Sequence, residues 1–376
     1  MSARFTTDGS DALEQHLAKV CDRVRDGVRA LIPDHKLEGL ALAGGYGRGE
    51  GGVLDKPEGH APYNDLEFFV FIRGSTLLND RRYRRLLHEL GEKLTPEAGI
   101  EVEFKILSLE KLSRSGPSMF YYDLLRGHRW LIGDDVLFAP CIDHLDATRI
   151  PLHEATRLLF NRCSGLLYAK ERIQRDAFSD EDADFVGRNI AKAKLALGDA
   201  WLTVQGEYHW SCRERLRRLQ AMNDDWSRRL APHHAQGVEF KLHPHNARAE
   251  MKAQLVSDHA EIGALAQSLW LHLEGKRIQQ TFGSPRDYAR SSESLCPESS
   301  RIKNVLCNVR AFGLHGLSSS FRLRYPRERL LRALSLLLWG ETDSRDSAII
   351  SQCLLCNDPG FGPSVRAYES LWHRFN

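Results

Sequence analysis

A nearly continuous apolar run, residues 66–72, most constrains how this chain folds. A run of this length with so little polar alternation predicts a central strand that is buried on both faces. Asp65 and Glu67 stand at its start, two positions apart, so their side chains point to the same face of the strand. A glycine-rich stretch, residues 44–52, precedes them and has six glycines in nine positions. A flexible turn therefore leads toward two carboxylates at the entrance of a buried strand.

The rest of the N-terminal part mixes helical and strand patterns. Helical spacing of apolar residues predicts one helix that Pro33 ends and a second helix that is rich in arginine. Alternating apolar and charged residues predict a strand with one polar face after the second helix. The predicted elements are helices at residues 11–32 and 80–94, strands at 40–43, 66–72 and 100–106, and a short hairpin at 129–137.

Strand patterns almost disappear beyond about residue 150, and helical spacing replaces them. The predicted helices are at residues 152–174, 183–207, 211–222, 247–275, 300–312 and 326–340. Residues 276–299, rich in Ser, Pro and charge, predict an exposed loop. We therefore expect an α+β N-terminal domain, residues 1–145, followed by an all-α C-terminal domain, residues 146–376.

Composition narrows the class of protein. The formal net charge is +2, which argues against a dedicated nucleic-acid binder because such proteins usually carry a clear basic excess. No apolar run approaches the roughly 20 residues of a membrane span, and the N-terminus lacks a secretory signal pattern. The eight scattered cysteines indicate mostly buried, reduced thiols. We therefore expect a cytoplasmic protein without a membrane partner.

The two carboxylates predict a metal site. Charge beside a buried strand is costly unless a cation balances it, although both acids could instead be solvated at the strand entrance. A third acid is expected from a neighbouring strand, where Glu101 and Glu103 share the polar face. Glu103 is preferred because it lies further inside the strand. Asp65, Glu67 and Glu103 could hold two Mg²⁺ ions, with Mn²⁺ as the alternative, and the third acid could serve as a base toward an acceptor hydroxyl.

The order of these features resembles the nucleotidyltransferase superfamily of DNA polymerase beta: paired glycines, then Asp-x-Glu in an apolar strand, then an acid on a later strand. Residues 44–50, Gly-Gly-Tyr-Gly-Arg-Gly-Glu, are especially similar to the transferase domains of bacterial PII uridylyltransferase and glutamine synthetase adenylyltransferase. The resemblance covers roughly residues 40–110.

The resemblance implies a small mixed sheet flanked by helices, in which Gly44 and Gly45 hold the nucleotide phosphates and the three acids bind metal. One feature departs from the family pattern. Nineteen residues separate Gly45 from Asp65, more than is usual, and residues 53–62 look like an inserted loop. The insertion leaves the motif intact but bears on the shape of the acceptor site.

Further residues are candidates for binding the nucleotide. Glycines without a Cβ let backbone amides approach a phosphate, which makes Gly47 and the amide of Tyr46 candidates beside Gly44 and Gly45. Arg48 could contact the triphosphate or pair with Glu50 at the surface.

Two lysines of the C-terminal part are also candidates. Lys192 and Lys194 lie on a predicted helix, where they could reach the β- and γ-phosphates or remain solvated helix charges. The histidines between residues 233 and 245 lack metal-ligand spacing and predict a polar loop.

The sequence thus predicts a magnesium-dependent nucleotidyltransferase that uses an NTP, with ATP as the expected donor. The acceptor would be a hydroxyl of a protein or a small molecule, and pyrophosphate would leave. An enzyme that adds nucleotides to RNA is one alternative, with basic faces from arginine-rich residues 81–85 and 213–218. A non-catalytic nucleotide-binding or interaction protein on the same fold is another.

Overall fold

The computed structural model of the protein describes residues 4–314, 321–340, 343–356, 358 and 360–375. The chain divides into two compact units, Met1–Glu154 with Trp201–His245, and Ala155–Ala200 with Asn246–Asn376. The sequence patterns contain no signal that residues 201–245 group with the N-terminal part of the chain.

The elements follow the chain in this order. The N-terminal part has α1 (Asp11–Leu31), β1 (Leu37–Leu42), the short turn α2 (Gly44–Gly47), β2 (Gly52–Lys56), β3 (Gly59–Tyr63), β4 (Leu66–Ile72), α3 (Thr76–Ala98), β5 (Val102–Leu107), α4 (Leu109–Ser113), α5 (Met119–Arg126), β6 (Arg129–Ile132) and two 3₁₀ segments, Asp135–Leu145 and Ala147–Arg149. The helices that follow are α6 (Leu152–Ile173), α7 (Asp180–Val204), α8 (Cys212–Ala221), α9 (Asp225–Leu242), α10 (Lys252–Ile278), α11 (Pro285–Arg290), α12 (Arg301–Phe312), α13 (Arg327–Trp339), α14 (Ser344–Leu354) and α15 (Phe361–Phe375), with a 3₁₀ turn at Ala249–Met251.

The first unit is built on a small mixed sheet, as the sequence predicted. Its strand order is β5-β4-β1-β6, with β4 parallel to β5 and antiparallel to β1, and β1 antiparallel to β6. Strands β2 and β3 form a separate antiparallel hairpin. The segment at residues 53–62, expected to be an inserted loop, is therefore a β-hairpin.

Strand β4 is buried on both faces, which confirms the expectation from its apolar sequence. Leu66, Phe68 and Val70 pack in a cluster with the apolar stripes of α1 and α3. Phe69 and Phe71 point to the other face, where they pack with residues of α4, α5 and the 3₁₀ segment that follows β6. The alternation of side chains along a strand produces this division.

The predicted N-terminal helices are confirmed. Helix α1 begins after Ser10, whose hydroxyl accepts a hydrogen bond from the amide of Leu13, and it ends just before Pro33. Helix α3 is longer than the predicted 80–94 segment and ends at Gly99, whose φ of 74° is a left-handed conformation that favours glycine.

Two local predictions are wrong. Residues 129–137 do not form a hairpin: β6 pairs with β1, and Asp134 then caps a 3₁₀ segment by accepting a hydrogen bond from the amide of Val136. The histidine-rich stretch is not a polar loop either, because it lies in and just after α9, which contains Pro232 and buries His234. The proline and the polar composition concealed this helix.

The second unit contains helices only, within the residues that the structure describes. Helix α13 is buried on every side from Glu328 to Leu338 and packs against α10, α11, α14 and α15. Its buried Arg332 donates hydrogen bonds to the carbonyl oxygens of Ala289 and Ser291. The stretch at residues 276–299, expected to be a loop, contains the short helix α11.

The eight cysteines all lie in the described part of the chain, and none forms a disulfide. Six are buried, which confirms the expectation of mostly buried thiols. Of the helices in the described ranges, none combines the length and the apolar character needed to cross a membrane.

Candidate active site

The glycine turn that follows β1 lies directly against the acidic pair. Gly44 has a φ of 64°, a conformation that L side chains rarely adopt. A Cβ at this position would lie 2.7 Å from Oε2 of Glu67, closer than van der Waals contact allows. The amide of Ala43 also donates to the carbonyl oxygen of Glu67, at 2.9 Å. The backbone conformation therefore favours glycine at residue 44, and a side chain there would also have to shift the flexible end of Glu67.

The other glycines of the turn serve close packing. A Cβ at Gly47 would lie 2.3 Å from the carbonyl oxygen of Leu42, and one at Gly45 would lie 3.0 Å from that of Glu50. A Cβ at Gly51 would lie 2.1 Å from the ring of Tyr46. The turn is thus folded tightly on itself.

The side chain of Tyr46 has a structural role. Its side chain is buried, and its hydroxyl accepts a hydrogen bond from the amide of Tyr63 at 2.7 Å. The one hydroxyl proton is shared between the carbonyl oxygens of Gly52 (2.9 Å) and Tyr63 (2.8 Å). These bonds tie the glycine turn to the β2–β3 hairpin. A role of Tyr46 in nucleotide binding would therefore fall to its backbone.

Three carboxylates converge on one face of the sheet. Glu67 of β4 and Glu103 of β5 are direct register partners in the parallel pair, so their side chains stand side by side. Asp65 lies two residues before Glu67 and points to the same face. Each of the three offers a carboxylate oxygen, and these oxygens all lie within 4.8 Å of one another.

Glu103, rather than Glu101, completes this cluster. Glu101 is exposed just before β5, and its contribution to the sheet is the carbonyl oxygen that accepts a hydrogen bond from the amide of Leu66 at 2.8 Å. The side chain of Glu103 is 38% exposed and that of Glu67 is 27% exposed, so both carboxylates can be reached from solvent.

Lys105 is a member of the site that the sequence argument did not single out. Its Nζ lies 2.6 Å from Oε1 of Glu67 and 3.6 Å from Oε2 of Glu103. It also lies over the ring of Phe69, with Nζ 5.7 Å from the ring centroid. The signal was available, because Lys105 follows Glu103 by two residues on a strand and therefore shares its face.

Burial and the neighbouring charges shift the pKa values of two members of the site. Burial, together with the negative charge of Glu67, raises the pKa of Asp65 above its ordinary value. Burial disfavours the ammonium of Lys105, but the hydrogen bond and the charge of Glu67 outweigh it and raise the pKa of Lys105. The three carboxylates offer oxygen ligands only, the set that Mg²⁺ and Mn²⁺ prefer. The residues present therefore fit a divalent cation.

Arg48 does not form the surface pair with Glu50 that was one of its two alternatives from the sequence. Its guanidinium lies 3.0 Å from Oδ2 of Asp123 on α5, and its side chain is 11% exposed. Asp123 also accepts a hydrogen bond from the hydroxyl of Tyr208 at 3.1 Å, and that hydroxyl accepts one from Arg215 at 2.9 Å. Arg48 is therefore part of a buried polar network.

Glu50 has a structural role of its own. It accepts hydrogen bonds from the hydroxyl of Ser211 and from the amide of Cys212 at 2.9 Å, at the first turn of α8. Burial opposes ionisation of Glu50, but these hydrogen bonds outweigh it and lower its pKa. The glycine turn is thus anchored to α8 within the first unit.

Lys192 and Lys194 lie in the second unit, on α7. Nζ of Lys194 lies 3.5 Å from a carboxylate oxygen of Asp258 on α10. The assignment of these two lysines to a nucleotide stays a prediction.

No protein-family model matches the sequence, and no curated protein matches it significantly. Among solved structures, a spectinomycin adenyltransferase from Enterococcus faecialis, with ATP and spectinomycin, is similar to this chain. The identity is 14% and the TM-score is 0.40, and the similarity covers 67% of this chain and 98% of that one. A similarity at this level assigns neither fold nor activity, so the function has to be inferred from the site.

Proposed function

We propose that the protein is a divalent-metal-dependent nucleotidyltransferase. It transfers a nucleoside monophosphate from an NTP, with ATP as the proposed donor, to a hydroxyl group of a small-molecule or protein acceptor, and pyrophosphate leaves. The residues proposed to bind the metal are Asp65, Glu67 and Glu103.

The register of Glu67 against Glu103 carries this proposal. Like charges placed directly opposite one another destabilise a sheet. A cation bound between Glu67 and Glu103 would remove this repulsion. Lys105 does so only in part, because one ammonium stands against three carboxylates. The cluster stays net negative, which favours exchange of the ammonium for a divalent cation that could in turn neutralise nucleotide phosphates.

The residues around the cluster have separate proposed tasks. Gly44 carries no side chain, so the phosphates of a nucleotide can approach the carboxylate of Glu67. Glu103 is the proposed base, since it is the more exposed of the two glutamates. It takes the proton of the acceptor hydroxyl as that oxygen bonds to the α-phosphorus. The bond from the α-phosphorus to the oxygen of the departing pyrophosphate breaks in the same step.

The arginine-rich segments favour a small-molecule or protein acceptor over RNA. Arg215 is buried, and the guanidinium of Arg217 lies 2.6 Å from the carboxylate of Glu214. The arginines of residues 213–218 therefore do not form a continuous basic surface. On α3, Arg84 lies 2.7 Å from Asp80. RNA binding, if present, would weaken steeply with salt, which electrophoresis with labelled RNA at two salt concentrations would reveal.

A labelling assay tests the proposal. The purified protein is incubated with each NTP labelled at the α-phosphate, with Mg²⁺ or Mn²⁺, and with either polyhydroxylated small molecules or cell lysate. We expect label in a non-nucleotide product and release of pyrophosphate, and neither with Asp65→Asn. Calorimetric titration with NTP and metal accompanies the assay. Nucleotide binding without transfer would indicate a sensor, and failure to bind any NTP would overturn the proposal.

A further inference from the structure

We propose that Lys105 is a built-in counter-cation that occupies the metal position of the acid cluster, so that the free protein binds divalent cations weakly and the metal enters together with the nucleotide. The inference rests on the proposed function, because it concerns the same site. It adds a regulatory step, since the site would stay closed to metal until the triphosphate arrives.

The distances set Lys105 and a metal ion in competition. A ligated Mg²⁺ or Mn²⁺ lies about 2.1 Å from a carboxylate oxygen. The ammonium of Lys105 already lies 2.6 Å from Oε1 of Glu67 and within 3.6 Å of Glu103. Two cations cannot share these oxygens at such distances without strong repulsion. A metal that binds these same oxygens, Oε1 of Glu67 and Oε2 of Glu103, therefore has to displace the ammonium.

Lys105 is also able to leave. Its side chain is 42% exposed and ends a flexible four-carbon stem, so the ammonium can turn away while the strand stays in place. Nζ lies 5.7 Å from the centroid of the Phe69 ring, near the outer limit of a cation–π contact, so this contact holds the ammonium only weakly. Moving the ammonium of Lys105 away from Glu67 and Glu103 into bulk water is unfavourable, however. The triphosphate of an incoming nucleotide supplies the anionic partner that makes the movement favourable, and it carries the metal with it.

Removal of Lys105 has different effects on stability and on metal affinity, depending on whether the lysine competes with the metal or only balances charge. If the ammonium of Lys105 lay away from the acid cluster in solution and only stabilised the fold, its loss would lower stability and change metal affinity little. If it competes with the metal, its loss raises metal affinity in the absence of nucleotide. The two roles are therefore separated by metal binding to the free protein, a measurement that does not depend on activity.

The experiment measures Mn²⁺ affinity by calorimetry for the nucleotide-free full-length protein. Lys105→Met removes the charge, and Lys105→Gln is a second neutral variant in case the first does not fold. Lys105→Arg retains the charge. Lys19→Met is the matched control, because Lys19 is exposed on α1, which packs on the opposite face of the sheet. Thermal melts with and without Mn²⁺ accompany each titration.

We expect the neutral variants to bind Mn²⁺ on the order of tenfold more tightly than the parent, or more, because a like charge has been removed from the site. Lys105→Arg and Lys19→Met should bind as the parent does. Mn²⁺ should raise the melting temperature most in the neutral variants. Equal or weaker Mn²⁺ binding by the neutral variants would overturn the role of Lys105 and leave the proposed function intact. If neither the parent nor any variant binds Mn²⁺, with or without NTP, the metal site and the proposed function both fail.

Discussion

Gly44 and Glu67 approach each other so closely that a methyl group on residue 44 would meet the carboxylate of Glu67, at 2.7 Å from Oε2. A side chain at residue 44 would therefore displace the Glu67 carboxylate, which couples the glycine turn to the acid cluster. Gly44 and Glu67 are more than twenty residues apart in the sequence, but this contact brings them together at the candidate site.

Gly44→Ala tests this relationship. We expect the free energy of unfolding to fall by about 1–2 kcal/mol, because residue 44 has a positive φ. We also expect metal binding to weaken, because the new Cβ pushes the Glu67 carboxylate aside. Gly99→Ala is the matched control: its φ is 74° and a Cβ there meets nothing within 4 Å. It should lose similar stability and bind metal normally. Equal metal affinity in the two variants would show that Glu67 tolerates the methyl group.

Asp65→Asn separates chemistry from stability. Transfer should fall by at least about 100-fold, the order seen when one preorganised electrostatic contact is lost. Without metal, the variant should be as stable as the parent or more stable at neutral pH. The pKa of Asp65 is raised in the folded state, so folding costs free energy once the group is ionised. This cost is absent well below the ordinary pKa of 3.8, develops as pH rises from 3.8 to the raised folded pKa, and is complete above it.

Urea titrations in chelator at pH 3 and pH 7 measure this difference. The Asp65→Asn variant should gain stability over the parent at pH 7 and lose that advantage at pH 3. If Asp65→Asn is clearly less stable than the parent at pH 7, the Asp65 carboxylate makes a contact that stabilises the fold. That result would contradict the destabilising effect expected from burial and from the charge of Glu67.

Glu103→Gln and Glu101→Gln form a matched pair two residues apart. Glu103→Gln removes a carboxylate of the cluster and the register partner of Glu67, so transfer and Mn²⁺ affinity should both collapse. Glu101→Gln alters an exposed side chain outside the cluster and should have a mild effect. Calorimetry with Mn²⁺ and pyrophosphate release measure both variants. The reverse order would move the third carboxylate to Glu101.

The sequence predicted the pieces of this site better than their arrangement. The apolar residues of β4 required a buried central strand, and the spacing of Asp65 and Glu67 required one face. The direct pairing of Glu67 with Glu103 could not be read, because parallel register depends on how the crossover helix α3 packs. The sequence did place Lys105 on the same face as Glu103, but its nearest partner, Glu67, lies on the neighbouring strand, and that contact could not be read.

The polar network around Arg48 could not be predicted from the sequence, for a different reason. Its members come from residues 48, 123, 208 and 215, and nothing in the local pattern indicates that these segments meet. Helix α9 was missed because Pro232 and several histidines give it the composition of a loop. Such tertiary contacts override local composition.

Arg48→Met distinguishes a structural role of Arg48 from binding of the triphosphate. The variant leaves Asp123 partly buried beside Tyr208 without its cationic partner, and the side chain of Asp123 is only 25% exposed. We expect the free energy of unfolding to fall by about 3 kcal/mol, the lower end for breaking a buried ion pair. The double variant Arg48→Met/Asp123→Asn should recover part of this loss, because the remaining side chain is neutral but can still accept a hydrogen bond from Tyr208. NTP affinity of the single variant, measured by calorimetry well below its melting temperature, should change little. A large loss of NTP affinity at unchanged stability would instead place the Arg48 guanidinium on the triphosphate and require its release from Asp123 when the nucleotide binds.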